Sequence, residues 1–514
     1  MSSSLLKSTG VVSLMTLVSR VLGFGRDVLL ATLFGAGAGM DAFLIALKIP
    51  NFGRRVFAEG AFSQAFVPVF TETRTREDHA AVRELTAVVM GTLAGVLGLI
   101  TLVGCLAAPW LVWVFAPGFG ADPAKHALGS ELLRWTFPYL MFISLTAMAA
   151  GILNAYGRFA VPAITPVLLN LCLIASALID PGSVEILAYA VFVAGILQFA
   201  FQLPWLAQLK LLPRPRWAWG DGRVRRIIGL MIPVMIGSSV AQLSLLLDAA
   251  LASLLGDGAV SWLYYADRLM EFPLGIFSIA IGTVILPTLA TQHANQSPSA
   301  FSSTMDWGLR TMLVLGVPAT VGLVLFAGPL IATLFGHGRF GAQDVLMTTY
   351  ALWAYGFGFL GFSLVKVLVP GFYARQEMRV PMRYAIISLC CGMTLSLTFF
   401  VLAKFNDFAA AHAGLAAATA ASAWINSLLL LWRLRRDGVY QPNPGWTRFL
   451  LRLGVASAAL GAVIVWGGGA MDSWMAQDLW SRAPRLLVVV VAGAAAYFAV
   501  LGLLGMRPRD FRKG

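Results

Sequence analysis

Charged side chains inside otherwise apolar segments are the residues of this sequence best placed to do chemistry, and they crowd its first seventy positions. In SRVLGFGRD and the residues before it, Thr9, Ser13, Thr16, Arg20, Gly23 and Asp27 follow one another at spacings of four, three, four, three and four. That spacing sets polar and small side chains on one face of a helix, with Arg26 beside them. In MDAFLIALKIPNFGRRVFAEGAFSQAFVP, Asp41, Lys48, Arg55 and Glu59 follow at seven, seven and four, with Arg54 adjacent. An ionised group near the centre of a bilayer costs at least about 2.5–3.5 kcal/mol, so such a cluster must face a polar cavity or pair within the protein. Internal pairing, for example Arg20 with Asp41, is the simpler reading. The five bases Arg20, Arg26, Lys48, Arg54 and Arg55 nevertheless outnumber the three acids Asp27, Asp41 and Glu59. A surplus of cations inside a membrane suits an anionic ligand, and the planar fork of arginine suits a phosphate best. The cavity reading is the stronger.

The elements that must hold these charges are membrane helices. Of 514 residues 59% are hydrophobic and 12% charged, with a mean hydropathy of +0.79. A soluble domain carries about 25% charged residues. Repeated apolar runs of about twenty residues read as bilayer spans. The fold class expected is therefore all-α and polytopic, with about fourteen transmembrane helices. They lie near 10–35, 38–70, 82–115, 128–156, 160–181, 184–209, 226–255, 258–290, 306–335, 344–374, 380–403, 410–434, 447–468 and 484–506. The net charge of +13 sits in alternate loops, which argues against a nucleic-acid partner. Basic loops follow the second, fourth, sixth, tenth and twelfth spans. The intervening ADPAKHA, DPGSVE, GDGAV, FNDFAAAHAG and MDSWMAQDLW are poor in bases. The positive-inside rule then places both termini in the cytoplasm. The first apolar segment, interrupted by Arg20 and Arg26, does not read as a cleavable signal peptide.

The sequence also repeats itself. Pro68, Pro109 and Pro162 are separated by 41 and 53 residues, and Pro287, Pro329 and Pro381 by 42 and 52. APWLVWVFAPGFG matches GPLIATLFGHGRFG, and NAYGRFAVP matches FYARQEMRVP. An offset of about 219 residues holds six spans, so the two copies enter the membrane in the same orientation. The expected architecture is two parallel six-helix lobes around a central cationic cavity, residues 1–218 and 219–437, plus a C-terminal helix pair at 438–514. The Pro/Gly-rich DGVYQPNPGW separates that pair off. In the second copy Arg268, with Asp267 and Glu271 in YYADRLMEFP, occupies the position equivalent to Lys48–Arg55; an interfacial cap anchored by Trp262, Tyr264 and Tyr265 is the alternative. Asp248, in QLSLLLDAAL, is either a cation or proton site or an acid kept neutral by burial.

Other signals carry little. GFGFLG matches a dinucleotide pattern but lies in an apolar span with no strand before it, and GxxxxGK[ST] is absent from the sequence. Cys105, Cys172, Cys390 and Cys391 have no metal-ligand spacing. The basic linker RPRWAWGDGRVRR reads as an orientation signal and surface anchor rather than a lipid-specific site. No cofactor is expected, and no catalytic or metal site. The residues alone support an exporter or flippase of a large anionic amphiphile without its own ATPase.

SRVLGFGRD, GAGAGMDAFLIALKIPNFGRRVFAEGAFSQAFVP, WLYYADRLMEFP and VKVLVPGFYARQ resemble the MurJ (MviN) family of lipid II flippases, of the multidrug/oligosaccharidyl-lipid/polysaccharide exporter superfamily. The resemblance runs from Lys7 to the tail. It implies a transporter, not an enzyme, in the bacterial cytoplasmic (inner) membrane. The implied substrate is lipid II, the undecaprenyl-diphosphate-linked peptidoglycan precursor, with membrane lipids around it and cell-wall synthesis proteins as further potential partners. It implies that Arg20, Arg26, Arg54 and Arg268 are functional cavity arginines, that Asp41 is the cavity acid, and that spans thirteen and fourteen shape a groove for the polyprenyl tail. Asp248 matches an acid that helps bind sodium in some members, but AIISLCCGMTLSLTFF in span eleven offers no Asn or Asp partner. A flippase for another polyprenyl-diphosphate oligosaccharide and a cation-coupled drug exporter are the neighbouring alternatives. A membrane glycosyltransferase would need a sizeable outward domain, and a scaffold gives no reason for buried arginines.

Overall fold

A segment surrounded by lipid must satisfy its own backbone, and the helix does so residue by residue. The structure, a computed structural model, describes residues 3–406 and 408–506; the side chains of 3–11, 13, 58–61, 236–241, 278–280 and 283 lie outside the description. Among the described residues all regular structure is helical. The chain forms two compact units, Met1–Ser261 and Trp262–Gly514.

The first unit opens with α1 (Ser3–Phe34) and α2 (Ala38–Arg54). α2 does not stop at Arg54. It passes through a π-helical segment, Arg55–Phe62, into α3 (Ser63–Arg76). A π segment widens the helix locally and is characteristic of functional positions; here it begins at the Arg54–Arg55 pair. α4 (His79–Leu106), α5 (Ala108–Phe115), a tight turn at Pro117–Ala121, α6 (Pro123–Thr136) and α7 (Tyr139–Ala155) follow. Asp78 and Asp122 cap α4 and α6 by accepting backbone N–H groups of their first turns. α8 (Ala160–Ile179), α9 (Glu185–Gln208) and α10 (Gly222–Ser253) complete the unit. Its core gathers Phe62, Phe66 and Phe70 from the α2–α3 rod against Met148, Ile152 and Leu153 of α7. The rod is thereby fixed just beyond its basic residues.

The second unit contains most of α11 (Ala259–Ala294), then α12 (Pro298–Leu325), α13 (Ala327–Leu334), α14 (Ala342–Tyr373), α15 (Arg379–Phe405) and α16 (Ala411–Arg436). α17 (Trp446–Gly468), the short α18 (Met471–Met475) and α19 (Leu479–Leu503) close it. One core packs Phe301, Met305, Val367 and Phe372 together, and a second packs Phe449, Leu453, Leu460 and Tyr497 with Val314 and Phe326.

Among the described residues ten helical stretches are long and apolar enough to cross a bilayer. The helices that carry the charges singled out above, α1, α2, α10 and α11, are not among the ten. α1 is loaded with Arg20, Arg26 and Asp27, and α2 alone is 17 residues long before the π segment. Large apolar side chains such as Leu99, Leu102 and Leu106 on α4 and Leu397 and Leu402 on α15 are exposed. Exposed apolar surface on this scale is a lipid-facing surface.

Candidate functional site

The sequence-selected charges of the first unit divide into two groups with different surroundings. On α1, Arg20 is exposed. One turn and a half further on, Arg26 is nearly buried and points both Nε and Nη2 at Oδ1 of Asp27, at 3.0 and 2.6 Å. Its Nη1 donates to Oδ1 of Asn170 on α8 at 3.0 Å, and Asn170 in turn donates to the Ser19 carbonyl. A Cβ at Gly23 would stand 3.5 Å from this amide, so the polar face of α1 lies against α8 here. Arg26 and Asp27 are thus a nearly buried pair clamped to α8.

On the α2 rod, Arg54 donates to Asn51 of its own helix at 3.0 Å, and Arg55, exposed, donates to Gln242 of α10 at 3.1 Å. Lys48 and Asp248 are half-buried. The Glu59 side chain lies outside the described residues. In the second unit Arg268 donates to Glu271 at 2.9 Å and lies over the Tyr264 ring at 4.9 Å. Both contacts are with its own helix, so the arginine is braced without being buried.

Asp41 is different. Its carboxylate is fully buried, and it serves neither Arg20 nor Arg54. Oδ2 accepts from the Gly258 N–H at 2.8 Å and faces Lys125 Nζ at 3.3 Å; Oδ1 accepts from the Ser261 N–H at 2.9 Å and its hydroxyl at 2.6 Å. The acid therefore caps the start of α11, where unpaired N–H groups and the helix dipole favour an anion. Lys125, on the first turn of α6, completes the bridge: its ammonium also meets Asp257 at 2.6 Å and lies over the Phe119 ring at 4.5 Å. Nearby, the Gly118 N–H donates to Ser253 Oγ at 3.1 Å, and a Cβ at Gly118 would stand 2.0 Å from the Ser253 carbonyl. Gly256 and Gly258 turn the chain between α10 and α11 with φ of +100° and +90°, which favours glycine. The loops joined here, ADPAKHA and GDGAV, are two of the base-poor loops. The cluster is a latch tying α2, α6 and the start of α11.

Sequence reasoning missed two cations. Lys125 stands in a base-poor loop, and its one sequence signal is its place three residues after the capping Asp122. Lys366 on α14 is exposed. It shares a face with Phe359, seven positions earlier, whose ring packs on Phe277 of α11. Phe357, nine positions earlier, lies on the opposite, outward face. Lys366 therefore joins Arg268 on the α11 side of the second unit.

The model of the family described as "Lipid II flippase MurJ" matches residues 30–483. A protein of Vibrio cholerae described as a probable lipid II flippase MurJ is 44% identical, over 99% of this chain and 98% of its own length. The lipid II flippase MurJ of Burkholderia cenocepacia is 40% identical, over 99% of both chains. A solved structure of lipid II flippase MurJ in an inward closed conformation superposes with a TM-score of 0.78 at 23% identity, over 97% of this chain and 99% of that one. An inward-facing multidrug transporter of the MATE family shares the fold at a TM-score of 0.69 and 13% identity, over 82% of this chain and 95% of its own.

Proposed function

This chain belongs to the MurJ family of lipid II flippases, and we propose that it carries lipid II from the cytoplasmic to the outer leaflet by alternating access. It is a multi-pass transporter of the bacterial inner membrane. The ten apolar stretches with α1, α2–α3, α10 and α11 make fourteen spans, arranged as six-helix lobes at 1–218 and 219–437 and a terminal pair, α17 and α19, both ends cytoplasmic. On the first lobe Arg20, Arg54 and Arg55 contact the diphosphate, with Lys48 adding positive charge; the second lobe has its own candidate cations in Arg268 and Lys366. Arg26 holds its position through Asp27 and Asn170 and shapes the wall. The polyprenyl chain lies along α17 and α19.

The observation that carries the reading is the Asp41 latch. A carboxylate held by four donors from two other segments seals the outer end while cations lie along the rods beneath it. Such a latch is reversible: breaking it exposes a lysine, an aspartate and a helix start, each of which water can satisfy. The head group enters from the cytoplasm with the latch shut and leaves outward with it open.

With no nucleotide site, the drive comes from outside the chain. An anionic head group moving out of a negative interior gains about 2.3 kcal/mol per elementary charge per 100 mV. The emptied, cationic lobes are pulled back inward by the same potential. Depletion of the protein in cells is the test: lipid-linked precursor accumulates on the cytoplasmic face. Unchanged outer-leaflet precursor on depletion overturns the reading. Collapsing the potential with a potassium ionophore at constant sodium and pH gradients stops flipping. Flipping that persists then, but stops when sodium is removed, shifts the drive to a cation at Asp248.

A further inference from the structure

The second unit holds a buried carboxylate for which the transport reading has no use. Asp306 lies near the cytoplasmic start of α12 and is almost fully buried. Its Oδ1 accepts from the Tyr440 hydroxyl at 2.9 Å, the Asn443 N–H at 3.2 Å and the Trp446 Nε1–H at 2.7 Å; its Oδ2 pairs with Arg310 Nε at 2.7 Å. Two of these partners, Tyr440 and Asn443, belong to the connector between α16 and α17, and the third, Trp446, opens α17. The connector needs such a partner. With Pro442, Pro444, Gly438 at φ +70° and Gly445 at φ +89° it builds no ladder of its own, so its N–H groups must find acceptors elsewhere.

The same helix face supplies the rest of the clasp. Ser302 Oγ donates to the Gln441 carbonyl and accepts from the Gln441 N–H, both at 2.9 Å. Arg310 Nη2 donates to the Asn443 and Pro444 carbonyls at 3.2 Å, and its guanidinium lies over the Trp446 and Phe449 rings at 5.0 and 5.4 Å. Trp446 and Phe449 are the first turn of α17. Further along, Tyr497 of α19 donates to the Val314 carbonyl of α12 at 2.8 Å. At the opposite end Arg482 of α19 donates to the Ala332 and Gly336 carbonyls at 2.7 and 2.9 Å, and Arg485 to the Gly468 carbonyl at 2.7 Å. α17 and α19 are therefore fixed to α12 and α13 at three levels, and the Asp306 clasp sets where α17 starts.

We propose that Asp306 is a positioning residue for the lipid chain of the substrate: by fixing the start of α17 it holds the α17–α19 pair at the angle that receives the chain, without touching the head group. This rests on the flippase reading and on the assignment of the chain to that pair. A bilayer tail entering a protein groove leaves one apolar medium for another, so little hydrophobic gain drives it. The groove's advantage must come from being preformed, which is what a clasp supplies.

The test uses the purified full chain in detergent and two synthetic lipid II analogues with the same head group, one with a C55 and one with a C15 chain. Wild type binds the C55 analogue more tightly. Asp306→Asn keeps its affinity for the C15 analogue and loses about tenfold or more for C55, the range of a lost bond to a charged group. Tyr440→Phe, which removes a single donor, shows the same selective loss at about threefold, and Asp306→Glu recovers part of it. Equal losses for both analogues mean a merely structural role and overturn the proposal, as does an unchanged C55 preference in Tyr440→Phe. Wild type that binds neither analogue overturns the flippase reading itself.

Discussion

Asp41 and Asp306 are both buried carboxylates with four donors, yet one is built to let go and the other to hold. Asp41 draws its donors from Lys125, Gly258 and Ser261, segments 84 to 220 residues away in sequence. One of those donors has an alternative, since Lys125 already meets Asp257, which is 63% exposed. Asp306 takes its donors from its own helix and from one short connector whose prolines leave no other arrangement. An anion whose partners come from separate, distant segments makes a latch, because those segments can part. An anion whose partners sit on its own helix and on the short stretch leading into α17 makes a fixed joint, because no separate segment can carry them away.

The comparison breaks most sharply at Lys125. Lys125→Ala leaves the Asp41 carboxylate buried without its cation, a change that costs about 3–5 kcal/mol for a buried pair. The latch then opens rather than the fold failing: thiol labelling of a cysteine placed at Ser253 from the outer side rises steeply, protein levels stay normal and complementation is lost. Normal labelling with poor expression would place Lys125 with Asp306, as a structural group. Arg54→Ala and Arg268→Ala abolish complementation without changing that labelling, because they act on the ligand and leave the latch intact. Labelling that rose with them would merge the two roles.

Gly118→Ala tests the latch by sterics alone. The new methyl meets the Ser253 carbonyl, and overpacking of this kind costs about 1–3 kcal/mol. Outer labelling rises, less than for Lys125→Ala. Tyr440→Phe removes one neutral donor from the fixed joint, worth about 1 kcal/mol. It lowers the melting temperature of the purified protein slightly and leaves outer labelling unchanged.

The smallest effect is one of pH, in the connector before α10. The Arg223 side chain bonded to Asp221 holds that carboxyl below the usual aspartate range. A depressed carboxyl contributes stability that is present above the ordinary value of about 3.9 and is lost as pH falls through the lowered one. Asp221→Asn therefore lowers stability slightly at neutral pH and flattens the acid limb of a melting-temperature profile, the two proteins converging as the pH falls to about 3. A changed neutral plateau with the same acid limb would contradict this assignment.

Much of the all-helical fold was legible because hydropathy and turn residues act over short distances. The helices fall on the apolar runs, and the proline-rich connector marks where α17 begins. The helical face that carries Arg20 and Asp27 was readable from spacing. What spacing could not give was partners. Arg26 and Asp27 are neighbours in sequence and pair, yet Asn170, 144 residues on, completes the clamp. Spacing points Asp41 to an arginine on α1 or α2, whereas its partners come from the first turn of α6 and the start of α11. Asp306, in MDWGLR, carried no signal at all, since its meaning lies in a connector more than 130 residues later.

Opening of the latch is what lipid II transport must require. Asp257 Oδ1 and Lys125 Nζ lie 2.6 Å apart, close enough for a carbodiimide to join them as an amide without any spacer. The protein is reconstituted in vesicles with labelled lipid II, treated from the outer face, and the joined peptide verified by mass spectrometry. The Asp257→Asn protein, which keeps the Asp41 latch but cannot be joined there, receives the same treatment. Flipping that stops in the native protein in proportion to the joined fraction, and continues in Asp257→Asn, is the predicted result; full flipping by native protein whose latch is covalently closed would contradict it.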